Sequence, residues 1–268
     1  MRFAVTLIAI CLTPRMAVAH YHILLPDKPA AQTDQQVTVT LRFGHPFEHQ
    51  MFATQKPRRA VVVTPDEKLV DLNTKTEEAE LPVAKGETLP MYRWKYTPTQ
   101  RGDYVFAVQC DPVWLADEGV FLEDTVKVTV HVVAQKNWDA LAGARFELVP
   151  LTRPYGLRAG MVFQSLLINR DDAAPRSEFQ PQPGTLVEVE RYNPTPPKEL
   201  PPDEHVTRTL KTDPAGVATV TLTEAGWWAV TAVRDAGTRQ RGGKSAPVKQ
   251  RTTLWVHVDD KVPLTPSK

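Results

Sequence analysis

Apolar and polar residues alternate with a period of two along most of the chain. In residues 37–43 every second side chain is Val, Leu or Phe, and the residues between them are Thr, Thr and Arg. Residues 126–132 repeat the pattern with four valines. Such alternation is typical of a strand with one buried face. Further strands are predicted at 21–25, 60–64, 92–96, 102–108, 145–149, 161–169, 186–192, 206–211, 217–222, 227–233 and 252–258.

These strands predict an all-β protein with two immunoglobulin-like β-sandwich domains in tandem. The first domain is expected at residues 20–134 and the second at 144–260, with 134–143 as the linker. The chain has 24 prolines, roughly twice the usual share of about 5%. Proline disrupts helix interiors and favours turns, so this composition agrees with a strand-rich fold. The proline-rich segment 193–203 is expected to be a long loop.

The first 19 residues have the pattern of a cleavable signal peptide. Arg2 precedes an uncharged apolar run at 3–12, and Ala17-Val18-Ala19 supplies a small-x-small cleavage site. The apolar run is shorter than the roughly 20 residues that a membrane-spanning helix needs. We therefore expect export to the periplasm, a mature chain that begins at His20, and no membrane insertion after cleavage.

Charge and cysteine content indicate which partners and which cross-links to expect. The chain has 32 basic and 31 acidic residues, which gives no electrostatic reason to expect nucleic acid or an anionic membrane as partner. After cleavage Cys110 is the only cysteine, so an internal disulfide is not expected. Cys110 is predicted to be a small buried residue.

Histidines cluster near the expected mature N-terminus. Four of the seven in the chain are His20, His22, His45 and His49. If the strands at 21–25 and 37–43 pair antiparallel, the start of one lies beside the end of the other. Imidazole nitrogen is a good ligand for nickel, cobalt, copper and zinc. These four residues are therefore the predicted metal ligands.

The sequence is compatible with two coordination geometries, and both require cleavage before His20. In the first, the free amine and the imidazole of His20 chelate the metal together, with His45 as the best-placed second side chain. In the second, the amine, two deprotonated backbone amides and the His22 imidazole form a plane of four nitrogens, which suits Cu(II) or Ni(II). An acidic loop with Asp117 and Glu118 is expected to be a turn that could approach the ligand end of the sheet.

Several segments resemble a bacterial periplasmic family, a domain-of-unknown-function family associated with nickel and cobalt uptake. The resemblance rests on residues 19–22, 41–48, 138–141, 150–157 and 225–228. It implies an accessory component of an energy-coupling-factor metal transporter, with Ni(II) or Co(II) as the bound ion. It also implies a histidine directly after the signal peptide and a His-Pro pair after the second strand, which match His20 and His45. His22 and His49 depart from that pattern.

The leading interpretation is therefore a non-enzymatic periplasmic protein that binds nickel or cobalt and works with a membrane transporter. Copper and zinc remain open as the metal. One alternative is a copper-dependent oxidase that uses His20 and a second histidine as a brace; the other is a structural or adhesive β-sandwich without metal. The sequence contains no H-E-x-x-H motif, nucleophile elbow or phosphate-binding glycine loop.

Overall fold

The structure, a computed structural model, describes residues 20–83, 86–170 and 178–260. The expected signal peptide and its cleavage site at residues 1–19 lie outside the described residues. Within the described part, no helix is long and apolar enough to cross a bilayer.

The described residues of the first half form eleven strands and a short 3-10 helix. The strands are β1 (Tyr21–Pro26), β2 (Ala30–Ala31), β3 (Val37–His45), β4 (Gln50–Phe52), β5 (Arg59–Val63), β6 (Leu69–Asp71), β7 (Glu77–Pro82), β8 (Thr88–Tyr96), β9 (Gly102–Gln109), β10 (Val113–Leu115) and β11 (Val120–Val132); the 3-10 helix is Asn73–Lys75.

The second half adds nine strands and one four-residue helix. The strands are β12 (Phe146–Pro150), β13 (Leu157–Arg158), β14 (Met161–Asn169), β15 (Gln180–Pro181), β16 (Leu186–Arg191), β17 (Thr207–Lys211), β18 (Val217–Leu222), β19 (Gly226–Arg241) and β20 (Lys244–Asp259); the helix is α1 (Asp203–Val206). The all-β, immunoglobulin-like class predicted from the sequence is confirmed, and the number of domains stays a prediction.

Strands from both halves share one sheet. Its order is β17-β16-β19-β20-β11-β9-β5-β6, and β11 pairs with β20 in parallel. A second sheet, β1-β3-β8-β7 with β4 beside β3, packs on the first-half part of that shared sheet. A third sheet of β12, β14, β15 and β18 encloses the second-half core. Each half therefore contributes a core, the shared sheet joins the two, and Tyr192, Ala229 and Trp255 of the second half belong to the first core.

Strand bounds were predicted well where apolar and polar residues alternate strongly. They were predicted poorly in polar stretches. β14 and β18 begin and end where the pattern placed them. β7 was not predicted, because its sequence Glu-Glu-Ala-Glu-Leu-Pro is mostly polar or proline. β19 and β20 extend well beyond the predicted strands as a long exposed hairpin, since hydrogen bonding between the strands continues after the apolar pattern stops.

The histidine segment lies where β1, β3 and β4 meet. β1 and β3 pair antiparallel, as predicted, with Tyr21 opposite Gly44 and His22 opposite Phe43. Gly44 is needed for the close approach of β4, because an added Cβ would lie 2.2 Å from the carbonyl oxygen of Gln50. This pairing sets the positions of the histidines at one end of the sheet.

Candidate metal centre

His20 and His45 lie against each other at the end of the β1–β3 pair. They come one position beyond the Tyr21–Gly44 pair in the antiparallel register. Their ring centroids are 4.3 Å apart, and the ring planes are nearly perpendicular at 89°. Both side chains are largely buried, with 10% of His20 and 12% of His45 exposed. The structure thus brings together the two histidines that the strand pairing and the resemblance both single out.

Aromatic rings surround this pair. The His20 ring is 5.7 Å from Phe43 and 5.1 Å from Phe52, and the His45 ring is 5.5 Å from Phe52. Phe43 and Phe52 belong to paired strands, so β3 and β4 together hold the rings in place. An apolar wall restricts water around the two imidazoles and fixes their orientation, which favours a pre-formed ligand pair.

The environment keeps His45 neutral. Burial and, next, the neighbouring His20 together lower the pKa of His45 to about 4, although Glu118 opposes the shift. Nε2 of His45 is buried and has no hydrogen-bond partner within the described chain. Neutral imidazole with a free lone pair is the form that binds transition metals. His45 is thus chemically prepared to act as a ligand at neutral pH.

Two carboxylates approach the pair without forming hydrogen bonds to it. Oε1 of Glu118 is 3.7 Å from Nδ1 of His20, and Oε2 of Glu48 is 4.0 Å from Nδ1 of His45. Glu118 lies in the turn between β10 and β11, the acidic loop that was expected to approach this end of the sheet. Both carboxylates add negative charge beside the imidazoles, which favours a bound cation.

His22 has a different environment, although it lies on the same strand. It is 1% exposed, and its Nδ1 is 2.6 Å from Oδ2 of Asp124. Arg251 donates two hydrogen bonds to the same carboxylate, at 2.8 and 2.7 Å. Burial opposes ionisation of Asp124, but the charge and hydrogen bonds of Arg251 outweigh it and hold the pKa of that carboxyl well below its usual range. Nδ1 of His22 is therefore held in a buried ion-pair network, while its Nε2 is buried without a hydrogen-bond partner among the described residues.

His49 is directed toward the second half of the chain. Its Nδ1 is 2.8 Å from the carbonyl oxygen of Asn193, and its ring is 5.8 Å from that of Tyr192. Of the four predicted ligands, the structure pairs His20 with His45 and gives His22 and His49 other partners. Cys110 is buried in the main core, and burial raises the pKa of its thiol well above the usual value, so the thiolate needed for metal binding is disfavoured.

The loop that follows His45 is held by residues of the second half. The backbone N–H of Phe47 donates to Glu190 at 3.0 Å, and the side chain of Asn193 donates to the carbonyl oxygen of Phe47 at 2.6 Å. Burial raises the pKa of Glu190 to about 8. Phe47 and Asn193 are 146 positions apart, so no local sequence pattern indicated this support.

Within the described residues, no group of three or more His, Cys, Asp and Glu side chains is arranged to hold a metal ion. The His20–His45 pair offers two imidazoles, and a further ligand can be a group outside these side-chain types. The amine of a mature chain that begins at His20 would be such a ligand, because it is attached to the same residue as one of the two rings.

Comparison with protein-family models identifies the family to which the chain belongs. Residues 17–236 match the family model described as a domain of unknown function, DUF4198, and the chain belongs to this family. No curated protein matches it.

Solved structures show remote similarity only. A DUF4785 family protein from Legionella pneumophila aligns with a TM-score of 0.29 and 9% identity, over 80% of this chain and 52% of that one. The Yersinia pseudotuberculosis adhesin InvE aligns with a TM-score of 0.23 and 14% identity, over 92% and 62% of the two chains. The chain thus spans about half to three fifths of the length of these two proteins.

Proposed function

We propose that this protein binds a transition-metal ion, Ni(II) or Co(II), in the periplasm and assists its uptake by a membrane transporter. The ligands are the amine and imidazole of a processed His20 together with the imidazole of His45. The observation that carries the proposal is the buried His20–His45 ring pair, 4.3 Å between centroids, in which Nε2 of His45 has no hydrogen-bond partner among the described residues. Nickel and cobalt, rather than copper or zinc, come from the family resemblance.

The surroundings of the pair support this assignment of ligands. An amine and two imidazoles supply three nitrogen donors, which suit late first-row transition metals. Glu118 and Glu48 add negative charge at 3.7 and 4.0 Å from the rings.

The strand structure favours the His20 chelate over the planar backbone-amide geometry. In the planar geometry, the backbone of the first three residues must wrap around the metal so that its amides and the His22 ring share one plane. Here Tyr21 and His22 lie in β1, paired with β3, and His22 is bound to Asp124. That wrapping would break both the strand pairing and a buried hydrogen bond, so we assign His22 and His49 no direct role in metal binding.

Intact-mass measurement of the exported protein, followed by metal titration, tests the proposal. We expect a chain that begins at His20 and binds one Ni(II) or Co(II). His20→Ala, His45→Ala and a form with one extra residue before His20 should each bind at least about 100-fold more weakly, since losing a ligand costs at least as much as losing its support. His205→Ala, in the exposed helix α1, is the matched control and should bind like wild type.

Two outcomes would contradict the proposal. If the extended form and His20→Ala bind every metal as tightly as wild type, the amine and His20 are not ligands. If the protein binds only Cu(II) and the bound copper oxidises a polysaccharide with O₂ as oxidant and ascorbate as reductant, the copper-oxidase alternative replaces metal uptake.

A further inference from the structure

Two strand edges have no pairing partner among the described strands. β7 is the last strand of its sheet and pairs only with β8. The outer part of β19, from Arg234 onward, pairs with β20 on one side only, because β16 reaches no further than Val233 on the other side. Each edge therefore presents backbone N–H and C=O groups with which another strand can pair.

The two edges carry opposite charge. β7 has the sequence Glu-Glu-Ala-Glu-Leu-Pro, with three acidic residues and no basic one, and is called the acidic edge here. Residues 236–248, the basic tip, form the end of the β19–β20 hairpin and contain Arg239, Arg241 and Lys244 but no acidic residue. The whole chain has a formal charge of only +1, so each edge is a local concentration of charge.

Most of the charge on the acidic edge is available to a partner. Glu78 and Glu80 are exposed, and neither has an ion-pair partner among the described residues. Glu77 differs, because Arg93 donates a hydrogen bond to it at 3.0 Å and Lys95 lies 3.3 Å away. Two of the three carboxylates can therefore meet cations of another molecule.

The two arginines of the basic tip contact aromatic rings. The guanidinium carbon of Arg239 lies 5.6 Å from the centre of the Phe121 ring, and that of Arg241 lies 4.7 Å from the Trp114 ring. Within the described part of the chain, neither arginine nor Lys244 forms an ion pair with a carboxylate. The rings position the two guanidinium groups without neutralising them, so they remain able to bind carboxylates.

Neither edge is suited to pairing with its own kind. Like charges on two facing edge strands repel each other, which is how edge strands commonly avoid association. Pro82 has no N–H to donate, and a bulge between Asp235 and Thr238 interrupts β19, so regular pairing is restricted to residues 77–81 and 238–241. An edge of opposite charge is the compatible partner, and one chain carries both kinds.

From these features we infer that β7 of one copy of this chain docks beside the outer part of β19 of a second copy and extends its sheet. Backbone hydrogen bonds join the two strands, and glutamate–arginine pairs across the contact select the acidic edge over other strands. Each copy has one edge of each kind, so the contact joins unlike surfaces and can repeat from copy to copy. The paired stretches are short, so the association is weak. This inference is independent of the proposed metal binding.

Sedimentation velocity of the exported chain, from about 10 µM to about 1 mM, tests the contact. In low salt the sedimentation coefficient of wild type should rise with concentration, and about 0.5 M NaCl should weaken the association several-fold because it screens the charges. The double variants Glu78→Lys with Glu80→Lys and Arg239→Glu with Arg241→Glu should each weaken it at least about tenfold, since each makes the two edges alike in charge.

An equimolar mixture of the two double variants should associate again, because the reversed β7 edge of one complements the reversed hairpin of the other. Recovery in the mixture also shows that both variants are folded. Glu199→Lys with Glu204→Lys, which makes the same charge change at exposed positions outside β7, is the matched control and should associate like wild type. The inference is overturned if wild type stays monomeric at the highest concentration, if either charge-reversed variant associates as tightly as wild type, or if the mixture stays monomeric.

Discussion

His20 and His22 are two positions apart on one strand, yet the structure gives them opposite environments. His20 faces His45 among aromatic rings, with its closest described carboxylate at 3.7 Å. His22 lies 2.6 Å from Asp124, whose charge Arg251 balances. In the first environment Nε2 of the neighbouring His45 has no hydrogen-bond partner among the described residues, and in the second Nδ1 of His22 is bound within a buried ion-pair network.

The difference shows why a histidine cluster in a sequence is not yet a metal site. A ligand needs a neutral ring with an accessible lone pair, whereas a histidine in a buried ion pair is held by its partner. His45 is neutral at neutral pH, because its pKa is lowered to about 4, and its buried Nε2 has no hydrogen-bond partner among the described residues. Changes at the two positions should therefore affect different properties, stability for His22 and metal affinity for His45.

The largest effect is expected from Asp124→Asn, which breaks the buried network. The variant leaves Arg251 as a buried charge without a counter-ion, which costs about 3–5 kcal/mol of unfolding free energy. Urea unfolding of wild type and variant measures the loss. Asp103→Asn is a useful control, because Asp103 holds His131 at 2.7 Å near the opposite end of β11 and should affect stability without any link to the metal centre. A loss below about 1 kcal/mol for Asp124→Asn would show that the network is not a stabilising feature.

His45→Ala should lower metal affinity strongly and stability only a little, the reverse of Asp124→Asn. We expect metal affinity to fall at least about 100-fold, which corresponds to about 2.7 kcal/mol, because a ligand is lost. The effect on unfolding free energy without metal should be smaller than that of Asp124→Asn, since the ring gives up no hydrogen bond at Nε2. Metal titration and urea unfolding of the same preparation test both statements. If the variant loses stability and keeps its metal affinity, the roles assigned to His45 and His22 are wrong.

The pH dependence of stability should also differ between wild type and His45→Ala. The pKa of His45 is about 4 in the folded chain and about 6.5 in the unfolded chain, so the unfolded chain takes up the proton first. The contribution of neutral His45 to the unfolding free energy is complete above about pH 6.5. It is lost as the pH falls toward 4, where the folded chain also takes up the proton. From pH 7 to pH 5, wild type should lose about 1–2 kcal/mol more than His45→Ala. Denaturant unfolding at both pH values measures this, and parallel losses would contradict the buried neutral state of His45.

The smallest effect is expected from Glu118→Gln. Its carboxylate is 3.7 Å from His20 and about a third exposed, so it adds charge beside the site without a hydrogen bond to the ring. Metal affinity should fall less than tenfold, and stability should stay within about 0.5 kcal/mol of wild type. Glu199→Gln, in the exposed loop before α1, controls for the loss of one negative charge. A loss as large as that of His45→Ala would make Glu118 a direct ligand.

Local sequence patterns predicted much of the fold. Alternation placed β3, β14 and β18 closely, because burial of one strand face leaves a period of two in the sequence. It missed β7 and the outer part of the β19–β20 hairpin, where backbone pairing continues without an apolar face. The shared sheet was not predicted either, since the parallel pairing of β11 with β20 joins segments more than 100 residues apart.

The sequence by itself determined the β-strand class, the antiparallel pairing of β1 with β3, and the presence of His20 and His45 at one end of that pair. These features follow from neighbouring residues, because a short connection between two alternating strands favours antiparallel pairing. Only the tertiary structure decided which partners His22 and His49 have. The partner of His22 is 102 positions away, and the partner of His49 is 144 positions away. Contacts of that range depend on how separate strands pack, and packing leaves no spacing signal in the sequence around either histidine.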